Sequence, residues 1–199
     1  TLLDTPGHVD FSAEMERTLQ VLDYAILVIN GADGVQGHTR TLWRLLKRYQ
    51  IPTFIFINKM DQVGTDKAKI LADLENRLDE GCIDFSEITE ETYDRLAMCD
   101  EKVMEEYLES EKVEEDTIAE MIGNRKVYPC YFGSALKMEG VQEFMDGMTA
   151  YVEKNEQINS TDTNTSNFGA KVFKISRDPA GSRLTYLKVT SGTLKVKDT

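Results

Sequence analysis

The sequence has no long apolar run and no clustered cysteines, and each absence excludes a class of protein. The longest apolar stretches, residues 24–29 and 51–57, are far shorter than the roughly 20 residues that a membrane-spanning helix needs. Cys82, Cys99 and Cys130 lie far apart, which argues against a zinc site or a disulfide framework and favours reduced thiols. We therefore expect a cytoplasmic protein with no membrane segment and no disulfide partner.

Basic residues are also outnumbered: 23 Lys and Arg face 35 Asp and Glu, so the net charge is −12. Residues 79–120 contain 17 acidic and three basic residues, so they carry −14 and the rest of the chain carries +2. A protein that binds nucleic acid with its whole surface would not have this balance. Residues 168–199 contain seven basic and two acidic residues, and they are the one stretch suited to RNA phosphates. The acidic segment is interpreted first as a solvated helical face, with a protein contact as the alternative.

Apolar stretches without alternation predict buried parallel strands at residues 24–29 and 51–57. Helical patterns with apolar residues three and four apart separate them, and this repeat is typical of a wound α/β sheet. We also predict the end of a buried strand at residues 2–3 and two helices in the acidic segment. Their predicted inward residues are Leu96, Val103, Tyr107 and Leu108. A further strand is predicted at residues 127–132, where Pro129 indicates an edge or an irregular start.

The composition changes near the end of the chain. Residues 154–167 are polar and have almost nothing to bury, so they predict a linker. We predict one domain over residues 1–153, with an acidic helical insert at about residues 79–126. Residues 168–199 contain three alternating stretches, which predict the start of an antiparallel β domain. The chain begins with Thr1 and has no secretion signal, so we expect an internal piece of a longer protein.

Polar groups follow the predicted strands, at the sheet edge where folds of this type bind ligands. The first group, residues 4–8, reads Asp-Thr-Pro-Gly-His, and Asp4 is suited to hold Mg²⁺ through water. The Gly7 N–H can approach a terminal phosphate closely because the residue has no Cβ. His8 follows where a side chain could orient an attacking water. By itself the stretch is more typical of a simple turn, and the other motifs are needed to favour the functional interpretation.

The second group, Asn58-Lys59-Met60-Asp61, directly follows an apolar strand. The Asp61 carboxylate can accept hydrogen bonds from N1–H and the 2-amino group of guanine, whereas adenine lacks both donors. Two such bonds of about 1.5–3 kcal/mol each give a discrimination on the order of 10²–10⁴. Lys59 can lie along the base and Asn58 can brace the loop. The group therefore predicts guanine binding.

The third group, residues 133–137, reads Gly-Ser-Ala-Leu-Lys and again follows a predicted strand. The Ala135 N–H can donate to guanine O6, which adenine replaces with an amino group. Ser134 would brace Asp61, and we include Leu136 in the predicted nucleotide-binding set. Alone this short stretch is a weak signal, and its position after the other two groups strengthens it.

Together these motifs resemble translational GTPases of the elongation factor G and tetracycline-resistance ribosomal protection family. Other matching stretches are residues 23–28, 33–36, 51–53, 173–174, 178–179, 183–184 and 191–194. The resemblance implies that His8 positions the hydrolytic water, that GTP or GDP and Mg²⁺ are bound, and that the ribosome is the partner. It also implies a P-loop-GTPase-like, mostly parallel sheet in a GTP-binding domain, followed by a β-barrel domain. Residues 61–64 and the acidic insert favour the ribosomal protection branch.

Two parts of the family pattern are absent. No G-x-x-x-x-G-K-[ST] loop occurs in the sequence, and the first strand of the family's sheet would precede Thr1. We expect this absence to leave strand edges exposed. We also expect the 199 residues alone to hydrolyse GTP very slowly or not at all.

Three functions remain under comparison. The leading interpretation is part of a ribosome-associated GTPase that acts in elongation or in ribosomal protection against tetracycline. The alternative is a non-catalytic module that binds a ribosomal protein or RNA through the acidic insert or the basic β segment. A generic ATPase conflicts with Asp61. Elongation, protection and termination stay open, because these activities depend on domains beyond Thr199.

Overall fold

A computed structural model describes residues 1–5, 12–159 and 168–196. The chain forms two compact units, one of Tyr24–Ile158 and the other of Thr1–Asp23 with Asn159–Thr199. No helix among the described residues is long and apolar enough to cross a membrane. The predicted domain boundaries stay a prediction.

The larger unit is built on a parallel sheet, which confirms the predicted α/β class. Its four strands are β1 (Ala25–Asn30), β2 (Thr53–Asn58), β3 (Cys82–Asp84) and β4 (Tyr128–Phe132). Their order is β1-β2-β4-β3, and every neighbouring pair is parallel. The side chains of β2 are buried on both faces, as an apolar strand without alternation predicts.

Helices connect and cover these strands: α2 (Gly37–Arg48), α3 (Lys67–Arg77), α4 (Glu90–Met98), α5 (Glu101–Ser110), α6 (Glu115–Gly123) and α7 (Val141–Asn159). Side-chain caps define where several of them start, because the first N–H groups of a helix lack internal partners. Asp66 accepts from the Lys69 N–H at the start of α3, and Asp100 accepts from the Lys102 N–H at the start of α5.

The acidic segment differs from the predicted two helices, since it contains three helices and the short strand β3. A capping box at Thr89 starts α4 and the Asp100 cap starts α5, so the chain is divided at two local signals. Leu96, Val103 and Ile118 from these helices are buried in the main hydrophobic core. The insert is therefore part of this unit's core, and its acidic residues lie on the outer face.

Two predicted strands differ in the structure. We predicted that β1 is covered on both faces, but it is an edge strand of the described sheet and Val28 is 59% exposed. Residues 1–5 form no strand, and both Leu2 and Leu3 are exposed. Burial in a parallel sheet requires a neighbouring strand on each side. Within the described residues β1 has one neighbouring strand and residues 1–5 have none.

Pro129 lies in β4, which has a neighbouring strand on each side, so the predicted edge position is wrong. The predicted alternative, an irregular start, agrees with the pairing to β2. The Tyr128 N–H donates to Gly81 O, and Cys130 O accepts from the Phe85 N–H. The backbone polar groups of Tyr128 and Cys130 thus point toward β3. The N atom of Pro129 therefore points toward β2, where pairing begins only at Cys130. A missing N–H at this position breaks no ladder bond.

The smaller unit contains α1 (Ser12–Leu19) and an antiparallel hairpin of β5 (Gly169–Arg177) and β6 (Arg183–Ser191). The predicted turn joins the strands, since the Asp178 N–H donates to Ser182 O. The third alternating stretch, around Leu194, forms no strand in the described residues. An isolated third segment gains ladder hydrogen bonds only beside another strand.

Candidate functional site

Two loops meet at the carboxyl ends of β2 and β4. Asn58 ends β2, and its Oδ1 accepts from the Lys59 N–H at 2.8 Å and from the Ala135 N–H at 2.9 Å. The Met60 N–H donates to Gly133 O at 3.0 Å. The structure thus brings together the second and third predicted groups, which are about 75 residues apart in the sequence.

The loop that carries Ala135 is closed on itself. The Ser134 N–H donates to Glu139 O at 2.9 Å, and the Glu139 N–H donates back to Ser134 O at 3.1 Å. Gly140 has a φ of +72°, and a Cβ there would lie 2.3 Å from Phe132 O. Only glycine fits both the left-handed backbone and the close approach. These contacts therefore hold the backbone around Ala135 in one conformation.

Asp61 lies beside this closed loop. The pKa of its carboxyl is lowered, chiefly by the Ser134 hydroxyl and further by Lys137. Lys137 Nζ lies 3.5 Å from Asp61 Oδ2. The Ser134 hydroxyl is buried, and its geometry falls short of a hydrogen bond. It acts on the Asp61 carboxylate as a close polar neighbour. The carboxylate stays ionised at neutral pH and can accept two donors.

Lys59 and Leu136 flank the two loops and are open to solvent. Lys59 has a φ of +65°, which is uncommon for a residue other than glycine. Leu136 is 91% exposed, an arrangement that leaves its side chain free to contact a ligand. Thr65 Oγ1 donates to Met60 O at 2.8 Å and closes the loop on the opposite side.

The first predicted group belongs to the smaller unit. Asp4 is exposed there, and Gly7 and His8 lie outside the described residues. The described residues contain no group of three or more His, Cys, Asp or Glu that could hold a metal.

Sequence reasoning missed the residues that hold the neighbouring loop after β1. Asp73 Oδ2 accepts from the Val35 N–H at 3.0 Å, and Arg77 Nη1 donates to Val35 O at 3.0 Å. Arg77 also pairs with Asp73 at 2.7 Å. An Asp and an Arg four residues apart on a helix could have indicated a pair, but its target loop is visible only in three dimensions.

Sequence-family and structure comparisons agree with this architecture. The family model of the elongation factor Tu GTP-binding domain matches residues 1–154. The tetracycline resistance protein TetW of Butyrivibrio fibrisolvens is 34% identical over 215 residues, an alignment that covers 100% of this chain and 33% of TetW. A crystal structure of a Thermus thermophilus protein matches with a TM-score of 0.80 and 23% identity, covering 99% of this chain and 36% of that one. The chain thus spans about a third of each relative's length.

Proposed function

Because this chain belongs to the family of the elongation factor Tu GTP-binding domain, we propose that it binds guanine nucleotides where the loops after β2 and β4 meet. The predicted membership of the translational GTPases is confirmed by this match and by the similarity to TetW. The single observation that carries the proposal is the Asn58 side chain, whose Oδ1 joins Lys59 to Ala135. These two hydrogen bonds hold the loop that carries Asp61 next to the loop that carries Ala135.

Each polar group then has a separate role toward the base. The ionised Asp61 carboxylate accepts from N1–H and the 2-amino group of guanine. The Ala135 N–H already donates to Asn58 Oδ1, so its bond to guanine O6 is shared between the two acceptors. Lys59 and the exposed Leu136 cover the base plane. Adenine would present an acceptor to Asp61 and a donor to Ala135, so both contacts oppose it.

For the whole protein we propose hydrolysis of GTP on the ribosome, with His8 positioning the water and Gly7 contacting the terminal phosphate. Asp4 would hold Mg²⁺ through water, and this ion would neutralise charge on the phosphates. The 34% identity to a tetracycline resistance protein favours ribosomal protection over elongation. These 199 residues alone would turn over GTP very slowly or not at all, since the sequence has no G-x-x-x-x-G-K-[ST] loop.

The second candidate is a non-catalytic module that binds a ribosomal protein or RNA. The observation that favours it is the uneven charge, with 17 acidic residues in residues 79–120. Ten of these acidic residues lie on α4, α5 and α6, which pack into the core through their apolar faces. A rigid acidic surface of this kind is suited to a basic partner.

Nucleotide titration separates the two candidates. We expect GDP to bind at least about 100-fold more tightly than ADP, and Asp61→Ala to weaken GDP binding by about 10²–10⁴. Asp146→Ala is the matched control, because Asp146 is exposed and accepts only a local bond from Gln142. Equal binding of GDP and ADP would contradict the proposal, and ribosome binding without any guanine dependence would favour the module.

A further inference from the structure

Helix α2, in the larger unit, carries a line of arginines on its outer side. Arg40, Arg44 and Arg48 are four residues apart, so they follow one another along the same side of the helix at intervals of about 6 Å. All three residues are exposed, whereas Trp43 and Leu46 on the inner side are buried. The helix contains no acidic residue. We call these three residues the arginine stripe.

The charge of the arginine stripe is not balanced by neighbouring carboxylates. Among the described residues, Lys47 is the one side chain of α2 in an ion pair, and its partner is Asp79. The Arg44 Nε atom donates to a backbone carbonyl of α2, and the Arg48 guanidinium lies over the Tyr49 ring. Neither contact neutralises the charge. Like charges four residues apart destabilise a helix, so the fold gains nothing from this arrangement by itself.

The sheet separates the arginine stripe from the core-packing faces of the acidic helices. Trp43 of α2 packs edge-on against Tyr128, with the ring centres 4.6 Å apart. Tyr131 lies three residues further along β4, so its side chain points to the other face of the sheet. On that face it shares a hydrophobic cluster with Leu96 and Val103 of the acidic helices. Because exposed charges further apart than about 8 Å are largely screened in physiological salt, the acidic helices leave the potential at the stripe positive.

The chemistry of the outer side of α2 indicates which partner the arginine stripe fits. A membrane-surface helix inserts its apolar side, but that side of α2 packs into the protein, where Trp43 is 4% exposed. A protein interface has a centre rich in aromatic residues, whereas none of the exposed large hydrophobic side chains found in the described residues lies in α2. Guanidinium groups bind phosphate through two parallel hydrogen bonds. A line of three therefore suits a chain of phosphates.

We propose that the arginine stripe is an RNA-binding surface that contacts backbone phosphates and does not read the base sequence. Such contacts release counterions, so binding depends strongly on salt concentration and little on sequence. The linear sequence favoured residues 168–199 for RNA, because the arginines of α2 are separated by neutral residues and line up only on the helix. The surface lies outside the loops after β2 and β4, so this proposal does not depend on guanine binding.

The test titrates the complete protein that contains this chain with a fluorescent RNA duplex of about 20 base pairs, at several salt concentrations. In the stripe variant, Arg40→Gln, Arg44→Gln and Arg48→Gln are combined. We expect its Kd to rise at least about tenfold and its slope of log Kd against log salt to fall by about 2–3, because three phosphate contacts are lost. Lysine at the three positions should keep the slope, since the charge remains, but bind more weakly than arginine.

The matched control combines Lys69→Gln, Lys102→Gln and Lys112→Gln. It removes the same charge from exposed positions outside the stripe, so its Kd should stay within about twofold of the unsubstituted protein and its slope should not change. A stripe variant that matches this control in Kd and slope would overturn the proposal. Loss of binding to phosphatidylserine vesicles with RNA binding kept would also overturn it, in favour of a membrane contact.

Folding of the stripe variant is checked by circular dichroism, and we expect it to fold because glutamine is a good helix former. If it does not, the three single variants replace it, and each should lower the slope by about one. Single variants with an unchanged slope would overturn the proposal. Failure of the unsubstituted protein to bind GDP would contradict the proposed function, and the RNA titration would still decide the role of the arginine stripe.

Discussion

At the scale of single residues, Asn58 does more than its motif predicts. One amide oxygen accepts two backbone N–H groups that belong to different loops. Both hydrogen bonds are exposed to solvent, so removing the shared acceptor costs about 0.5–1.5 kcal/mol for each bond. Asn58 therefore connects the two loops and is also part of the predicted nucleotide-binding group.

We predict that Asn58→Ala weakens GDP binding by about 10–100-fold, because the Ala135 loop loses its fixed distance from Asp61. Isothermal titration calorimetry would measure the change. Asn76→Ala is the control, since the Asn76 amide donates only to Ala72 O within its own helix. Unchanged GDP affinity in Asn58→Ala would show that the two loops keep their positions without the hydrogen bonds to Asn58 Oδ1.

At the scale of elements, the loop between β4 and α7 depends on backbone conformation. Its two ends are paired by the bonds between Ser134 and Glu139. Gly140 then turns the chain into α7 with a left-handed φ. A closed loop of this kind loses little entropy when a ligand binds, because it is already ordered.

We predict that Gly140→Ala destabilises the protein by about 1–3 kcal/mol from the backbone conformation alone. The contact with Phe132 O at 2.3 Å adds to this cost. Chemical denaturation would measure the free energy of unfolding. Gly64→Ala isolates the conformational part, because Gly64 also has positive φ but nothing lies within 4 Å of its Cβ position. Equal effects of the two substitutions would exclude a role for the close contact.

The acidic helices are a second element whose role only packing reveals. Leu96 in α4 is 0% exposed and belongs to the main core. We predict that Leu96→Ala lowers the free energy of unfolding by about 2–5 kcal/mol, as core truncations do. Leu108→Ala, at a position that is 74% exposed, should change it by less than about 0.5 kcal/mol. Similar effects in both variants would contradict the idea that the insert is part of the core.

At the scale of the whole molecule, buried tyrosines link folding to alkaline pH. Burial raises the pKa of Tyr128 to about 12 and that of Tyr151 to about 12. The unfolded chain loses these protons near pH 10, so it binds fewer protons than the folded chain between pH 10 and 12. Stability must therefore fall as the pH rises through this range.

We predict a steady loss of thermal stability between pH 10 and pH 12, measured by circular dichroism. Tyrosine absorbance should show a late ionisation step that coincides with unfolding. Tyr128→Phe removes one of the linked groups, so its stability should fall less steeply over the same range. Parallel curves for this variant and the unsubstituted protein would contradict the assignment.

The sequence by itself determined the features that depend on neighbouring residues. Apolar runs predicted β2 and β4, and both strands form where they were expected. The guanine site at Asn58 and Asp61 stays a prediction. Helix positions such as Leu96 and Val103 were also predicted to be buried, and they are. Local periodicity and side-chain chemistry are sufficient for such features, because they are properties of short segments.

Only the tertiary structure decided which distant segments meet. The edge position of β1, the central position of Pro129 and the exposure of Leu108 all differ from the local pattern. The bond between Asn58 and Ala135 and the contacts of Lys171 and Lys188 with the end of α1 join residues far apart in the chain. Their energies depend on strand order and packing, which no short stretch of sequence contains.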